Sequence, residues 1–351
     1  MKALVYHGPG KKTFEEVSKP LLRETTDAIV RVSKTTICGT DLHILKGDLS
    51  TVAAGRILGH EGTGIIDEAG SGLGHFKKVD RVIISCITSC GRCENCRRGM
   101  PSHCENGGWI LGNTIDGTQA EFVRIPYADS SLYHLPEGED EDAMVMLSDI
   151  LPTGFECGVL KGCIEPGDSV AIIGAGPVGL SALLTSQFFA PAKLISIDID
   201  DNRLEVAKQF GATHAINSSD GKAAAKVMSL TSGSGVDVAI EAVGAAATFG
   251  ICQDIVAAGG HIANIGVHGG KADLHLETLW SRNVTITTRL VDAVTTPLLL
   301  RTVISGRLKP RQLITHHFAL DDILKAYDTF GNAGREHALK VILTAGPAAS
   351  P

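Results

Sequence analysis

Four cysteines fall within fifteen residues of this 351-residue chain: Cys90, Cys93, Cys96 and Cys104, in "CGRCENCRRGMPSHC". The gaps between them are two, two and seven residues. The chain has nine cysteines in all, at 38, 86, 90, 93, 96, 104, 157, 163 and 252. The N-terminal stretch "MKALVYHGPGKKTFEE" has no long apolar run of the secretory type. An odd count in that context argues against a disulfide framework and for metal binding or catalysis. Four thiolates fill the tetrahedral shell of zinc and leave no open position, so such a site is expected to be structural. Arg92, Arg97 and Arg98 can offset part of its negative charge. Free thiols and an iron–sulfur cluster are the alternatives, but the bacterial ferredoxin run has gaps of two, two and three and ends in Cys-Pro. A catalyst must then lie elsewhere.

Two other groups of residues could do chemistry. "ICGTDLH" supplies Cys38, Thr40, Asp41 and His43; "GHEGTG" supplies His60 and Glu61; "LSDILPTGF" supplies Asp149. A catalytic zinc takes three protein ligands and keeps one position open, and Cys38, His60 and Asp149 could be those three. Taken singly, a His in a Gly-rich turn is more often a surface or capping residue, and an Asp beside a Leu-rich stretch more often a helix cap. The second group is "AIIGAGPVG", with Gly174, Gly176 and Gly179 directly after a strand-like run and Asp198 closing the next run 24 positions after Gly174. That is the dinucleotide fingerprint. The first Gly makes the turn, the second admits pyrophosphate, and the third lets the helix pack closely, with its N-terminus facing the phosphates. Asp198 can accept the ribose hydroxyls and would repel a 2′-phosphate, which favours NAD over NADP. Arg203, five residues on, could reach a phosphate and blur that preference.

The elements that must hold these residues follow from the rest of the pattern. Residues 1–150 carry short β-branched runs ("DAIVRVSKTTIC", "GTGIIDEAG", "DRVIIS", "AEFVRIP") broken by Gly, Asp and Pro, the pattern of strands and turns. Residues 168–270 alternate strand-like and helix-like segments, which predicts a parallel sheet with helical crossovers. "EAVG" and "IGVHG" fall at the C-terminal ends of two such strands, where open α/β sheets bind ligands. Residues from about 290 are mixed and end in the strand-like "HALKVILT"; no repeat or linker stands out beyond the final "AGPAASP". The length suggests two domains. A net charge of −7 opposes broad binding to a phosphate backbone, and with the cofactor fingerprint it opposes a zinc-ribbon module for nucleic acid. No apolar run approaches the ~20 residues that span a bilayer. The expectation is a soluble, cytoplasmic protein.

In order and spacing these motifs resemble the zinc-dependent medium-chain alcohol dehydrogenases over almost the whole chain. The shared features are Cys-x-Thr-Asp-x-x-His, Gly-His-Glu, the four-cysteine lobe, Asp-x3-Thr-Gly and Gly-x-Gly-x-x-Gly. The resemblance implies an α/β chain with a GroES-like β-rich catalytic domain over 1–150, its structural zinc lobe at about 86–112, a Rossmann NAD-binding domain over 151–290, and a return to the catalytic domain over 291–351. It implies two zinc ions per chain, one on Cys90, Cys93, Cys96 and Cys104 and one catalytic on Cys38, His60 and Asp149. Glu61 becomes an occasional fourth ligand and Asp41 the partner that orients the ligand His. Thr40 takes the hydroxyl proton and His43 relays it to solvent. Thr153, Gly174, Gly176, Pro177, Val178, Gly179, Asp198, Arg203, Val243, Ile265, Gly266 and Val267 line the cofactor. Gly39 stands where other members carry a basic residue on the pyrophosphate, so Lys340 is expected to meet part of that charge. Cys86 and Trp109 are implied as pocket walls. The implied reaction is reversible oxidation of a primary or secondary alcohol with hydride transfer to NAD. Asp149 resembles the bacterial secondary-alcohol branch, although that branch often lacks the four-cysteine lobe. A polyol or L-threonine dehydrogenase is the rival within the superfamily. The implied partners are a small-molecule substrate, no nucleic acid and no membrane, in a homo-oligomer with a tetramer favoured over a dimer.

Overall fold

The computed structural model describes residues 1–346. Residues 347–351, the end of the "AGPAASP" tail, lie outside the described residues. The chain folds as two units, one from Met1–Asp149 joined by the chain from Asp292 onward, the other from Ile150–Val291.

In the first unit, the β-branched strand Ala28–Thr36 is the hub. It pairs antiparallel with Gly62–Ala69, with Phe122–Ile125 and with Lys340–Thr344. Arg81–Ile84 and Leu132–His134 extend the sheet on one side, and Ile314–Ala319 closes it on the other, parallel to Lys340–Thr344. Alternation along these strands sends Val30, Val32, Ile66, Val82, Ile84, Val123 and Ile125 into one apolar cluster. A second cluster unites Ile37, Ile44 and Leu58 with Ile323, Tyr327, Val341 and Leu343 from the chain's far end. The C-terminal return is thus welded to the site-bearing strands by burial.

Two features of this unit escape the sequence pattern. Strands Lys2–Tyr6 and Lys12–Glu16 form a small sheet with Arg56–Ile57. Residues Gly39–Lys46, starting within the ligand-bearing "ICGTDLH", form a helix. A leading Gly and a β-branched Thr disfavour helix locally, but Cys38 and Asp41 make a reciprocal capping box that starts it, and Ile44 buries beneath it.

The second unit carries six parallel strands in the spatial order His214–Asn217, Lys193–Asp198, Ser169–Ile173, Val236–Glu241, Val256–Asn264 and Thr285–Thr288. In chain order this is 3-2-1-4-5-6, the doubly wound Rossmann arrangement, with its switch point between Ser169–Ile173 and Val236–Glu241. Near-continuous apolar strands fit a sheet covered on both faces. Ala171, Ile173, Ile195, Ile197, Ala239 and Ile262 are buried together. The π-helical turn Gly154–Leu160, just after Asp149, is a further element that the sequence pattern does not reveal. Among the described residues no helix is long and apolar enough to cross a membrane.

Candidate metal centres and dinucleotide site

Cys90, Cys93, Cys96 and Cys104 place their sulfurs within 4.8 Å of one another. Ligands at about 2.3 Å from a tetrahedral zinc stand roughly 3.8 Å apart, and Cys93 Sγ lies 4.0 Å from Cys104 Sγ. The lobe already supplies the amide donors that thiolates need. The N–H of Cys90 points to Cys104 Sγ at 3.2 Å, that of Cys93 to Cys90 Sγ at 3.4 Å, and that of Asn106 to Cys104 Sγ at 3.4 Å. Burial would lift the Cys90 thiol, but the N–H groups of Arg92 and Cys93 outweigh it and draw it down to about 6. Cys96, desolvated and crowded by the Cys93 and Cys104 sulfurs, is pushed up to about 12. One sulfur ready to ionise beside one that resists is the mark of a cluster short of positive charge, which a divalent cation supplies.

The second cluster is built from distant segments. Cys38 is the N-cap of the helix Gly39–Lys46, His60 and Glu61 lie just before the strand Gly62–Ala69, and Asp149 ends the first stretch of the unit. Their ligand atoms converge within 4.8 Å. His60 Nε2 is 3.3 Å from Asp149 Oδ2, and Cys38 Sγ is 3.9 Å from the same oxygen. Those separations match the ~3.3–3.8 Å expected around a tetrahedral zinc with mixed N, O and S ligands. Burial alone would keep His60 neutral, but Asp149 and Cys38 hold its ring proton well above the ordinary range. A buried anionic pocket that recruits a proton in this way will take a cation in its place. The donor set therefore fits a zinc ion, with one thiolate, one imidazole and one carboxylate.

Glu61 belongs to this cluster by distance but is held away by strong partners. Its Oε1 accepts from Lys340 Nζ at 2.6 Å and its Oε2 from Thr36 Oγ1 at 2.7 Å. Lys340 also donates to Thr36 Oγ1 at 3.0 Å and to Ile37 O at 3.5 Å, so all three ammonium protons are engaged. At 1% exposed, Lys340 sits beneath the metal ligands and not at a phosphate. The expectation that it meets the pyrophosphate is corrected here: a fully buried ammonium is kept charged by Glu61, and it has no donor left for a ligand.

Asp41 and Cys86 also lie beside these ligands. Asp41 Oδ2 accepts from Cys38 N–H at 2.9 Å and from Gln119 Nε2 at 3.0 Å, and its Oδ1 makes no hydrogen bond; burial raises the carboxyl, and the nearby His60 charge opposes that. The capping box takes the carboxylate, and Gln119, itself accepting from Tyr327 Oη at 2.8 Å, braces it. Cys86, implied as a pocket wall, is 2% exposed, and its thiol faces Asp149 Oδ1 at 3.5 Å. Its thiol thus sits against the carboxylate of a candidate ligand. Trp109 lies edge-on to His60 at 6.1 Å between ring centres, and its indole N–H is buried without a partner. Thr40 Oγ1 is 3.7 Å from Cys38 Sγ, and one helical turn on His43 Nδ1 meets Asp48 Oδ2 at 2.8 Å. Thr36, Gln119, Tyr327 and Asp48 were not foreseen. They stand alone in the sequence, and only the fold makes them neighbours.

In the second unit, Gly174 follows Ser169–Ile173 with φ +103, and a Cβ on Gly179 would come within 1.8 Å of Gly174 O. Only glycine lets this helix and turn meet. Gly176 is the N-cap of the helix Pro177–Ser186, and Pro177 opens it. A Cβ on Gly176 would find nothing nearer than Arg203 Nη1, at 3.9 Å. The turn is thus open to a ligand and flanked by one cation. Asp198 Oδ2 accepts from Ala175 N–H at 2.6 Å and Oδ1 from Asp200 N–H at 3.0 Å. Each oxygen retains a lone pair for another donor. Val178 lies in the first turn of that helix, and Thr153 ends the short helix Ile150–Thr153. Val243 and Val267 are about half exposed at the C-terminal edge of the sheet, with Ile265 and Gly266 between them in the fold.

The family model for the alcohol dehydrogenase GroES-like domain matches residues 24–137, and that for zinc-binding dehydrogenases matches residues 177–302. A solved apo structure titled zinc dependent alcohol dehydrogenase 2 from Streptococcus pneumonia is 55% identical, with a TM-score of 0.96 and 100% of each chain covered. A curated alcohol dehydrogenase of Cupriavidus necator is 35% identical over 98% of this chain and 98% of its own. An NADP-dependent isopropanol dehydrogenase of Thermoanaerobacter brockii is 33% identical over 93% of this chain and 95% of its own.

Proposed function

The chain belongs to the zinc-dependent medium-chain alcohol dehydrogenase family, and on that premise we propose that it oxidises primary or secondary alcohols reversibly with NAD. The observation that carries this reading is the convergence of Cys38, His60 and Asp149 beside Thr40 in the first unit. A zinc ion held by those three residues supplies Lewis acidity to an alcohol oxygen. A nicotinamide dinucleotide on the Gly174–Gly179 turn supplies the hydride acceptor.

The chain's own residues do the rest. Cys86 and the helix cap fix the ligand carboxylate and thiolate. Lys340 and Thr36 hold Glu61 back from the metal position, so that the fourth position stays free for substrate. Thr40 Oγ1 takes the hydroxyl proton and passes it on toward His43, whose Nδ1 is steadied by Asp48. In the second unit, Asp198 accepts a ribose hydroxyl, and its charge disfavours a 2′-phosphate. Arg203, beside Gly176, takes the pyrophosphate charge that Lys340 does not reach. The name of the Thermoanaerobacter relative points to NADP, and Asp198 is the residue in this chain that argues the other way.

Cys90, Cys93, Cys96 and Cys104 would hold a second zinc, in a structural role. We extend the reading to a homo-oligomer, with a tetramer favoured over a dimer. The exposed Leu276 and Trp280 near the edge strand Thr285–Thr288 support that extension.

Initial rates with NAD and NADP across primary alcohols, secondary alcohols, polyols and threonine test the proposal. The expected result is turnover of simple alcohols with NAD preferred, and Asp198→Gly narrowing that preference. Faster turnover of polyols or threonine, or a native preference for NADP, would overturn the substrate or cofactor assignment.

A further inference from the structure

We propose that Glu241 is a positioning residue for the dinucleotide, its buried carboxylate locking together the two loops that present Val243 and Val267. The inference rests on the reading that the second unit binds a nicotinamide dinucleotide. Glu241 ends the strand Val236–Glu241, beside the switch point of the sheet, and is 0% exposed. Among the described residues it pairs with no lysine or arginine. Burying a carboxylate without such a cation costs free energy unless donors surround it. Here the donors come from the first loop. Oε1 accepts from the N–H of Val243 at 3.0 Å, from that of Gly244 at 2.9 Å and from Thr248 Oγ1 at 2.6 Å. Oε2 accepts from Gly244 N–H at 3.1 Å.

The second loop is tied to the same residue. The N–H groups of Ile265 and Gly266 donate to the Glu241 carbonyl at 2.8 and 3.2 Å. A Cβ on Gly266 would fall 2.3 Å from Glu241 Oε2 and 2.1 Å from Gly244 N. A Cβ on Gly244 would fall 2.3 Å from Val267 O. The loops therefore touch backbone to backbone, with the carboxylate between them. His268 braces the outer side: its Nε2 is 2.9 Å from Asn264 Oδ1 and 3.6 Å from Glu241 Oε2, and its ring stands edge-on to Phe249.

What the clamp holds is apolar and open. Val243 and Val267 are 49% and 51% exposed, high for valine, at the edge where doubly wound sheets bind ligands. Val243 also leans on the phosphate turn, since a Cβ on Gly174 would meet its Cγ2 at 2.6 Å. The sheet core of Ala171, Ala239 and Ile262 does not depend on the carboxylate. Glu241 thus acts on ligand placement through Gly244 and Gly266, and not by touching the ligand.

The experiment titrates NADH by fluorescence into the full-length enzyme and its variants, alongside kinetics, melting temperature and zinc content. Glu241→Gln puts an amide among amide donors and should weaken NADH binding by about tenfold or more. The Michaelis constant for NAD should rise in step. kcat at saturating NAD, the Michaelis constant for alcohol and the zinc content should stay close to wild type. Thr248→Val removes one hydrogen bond with less risk to folding and should weaken NADH binding about threefold. Unchanged NADH affinity in both variants would overturn the clamp. So would a fall in kcat and zinc content that tracks a lower melting temperature. If the wild-type chain binds neither NADH nor NADPH, the dinucleotide reading itself fails and the clamp with it.

Discussion

The two candidate metal clusters of the first unit gather their donors by different physics. The four-cysteine lobe takes every donor from one fifteen-residue stretch, and its own turns aim backbone N–H groups at the sulfurs. The mixed cluster takes Cys38, His60 and Asp149 from three segments that only the sheet and helix scaffold bring together. A loop can wrap a metal and close it off. An open coordination position needs ligands fixed from outside, because any spare donor nearby would close it. Glu61 is such a donor, and Lys340 and Thr36 restrain it. The difference is thus between a site that makes structure and a site that structure makes.

The hardest blow to this contrast is to remove one ligand from each. Cys38→Ser should lower kcat/KM by about 10³-fold or more, because the Lewis acid and the proton path share that corner. Its melting temperature should change little beside that loss. Cys96→Ser should do the reverse, lowering the melting temperature while kcat per folded molecule stays near wild type. Metal analysis should find one zinc fewer per chain in each variant. Equal activity losses in the two variants would erase the distinction.

The restraint on Glu61 can be tested next. Lys340→Met leaves the Glu61 carboxylate buried without its cation, which should destabilise the unit by about 3–5 kcal/mol. Glu61, no longer held, should compete for the open position and lower kcat. The double variant Lys340→Met/Glu61→Gln should recover more than half of the stability in urea unfolding, since the uncompensated charge is gone. If the double variant is as unstable as the single one, Lys340 acts by packing alone.

How much of this was legible in the sequence follows the same divide. The four cysteines could be read as one site because their neighbours in sequence are their neighbours in space. The glycine turn could be read because Gly174, Gly176 and Gly179 sit within one strand–turn–helix. The sheet strands around Ala28–Thr36 and Ser169–Ile173 announced themselves through β-branched runs. Lys340 misled because the missing basic side chain at Gly39 called for another cation, and nothing local in "HALKVILT" shows that this one is threaded under Thr36. Asp41 shows that one spacing can serve two roles: it caps the helix, and its carboxyl stands within reach of the His60 charge. Glu241 was legible only as the start of "EAVG" at a ligand-binding strand end; its clamping role was not, because an acidic residue there is ordinary until the loop amides close around it.

The smallest expected effect concerns a third charged cluster, whose carboxylate is matched directly by protein cations. Asp142 lies 3.1 Å from Lys34 Nζ and 2.9 Å from His317 Nε2, with Arg311 at 3.8 Å. Burial would raise its carboxyl, but Lys34 and His317 outweigh it and hold the group below the ordinary carboxylate range. A folded pKa below the unfolded value of about 3.9 gives stability that is complete above that value. That stability is lost as the pH falls through the lower, folded pKa. Asp142→Asn should therefore cost about 1 kcal/mol or less at pH 7, and the gap to wild type should close below about pH 4. Urea midpoints at a series of pH values measure this. Because the charges are already matched within the protein, a chelator should leave the gap at pH 7 unchanged. A gap that vanishes with the metal would tie Asp142 to the zinc sites and collapse the contrast between clusters neutralised by side chains and clusters that need an ion.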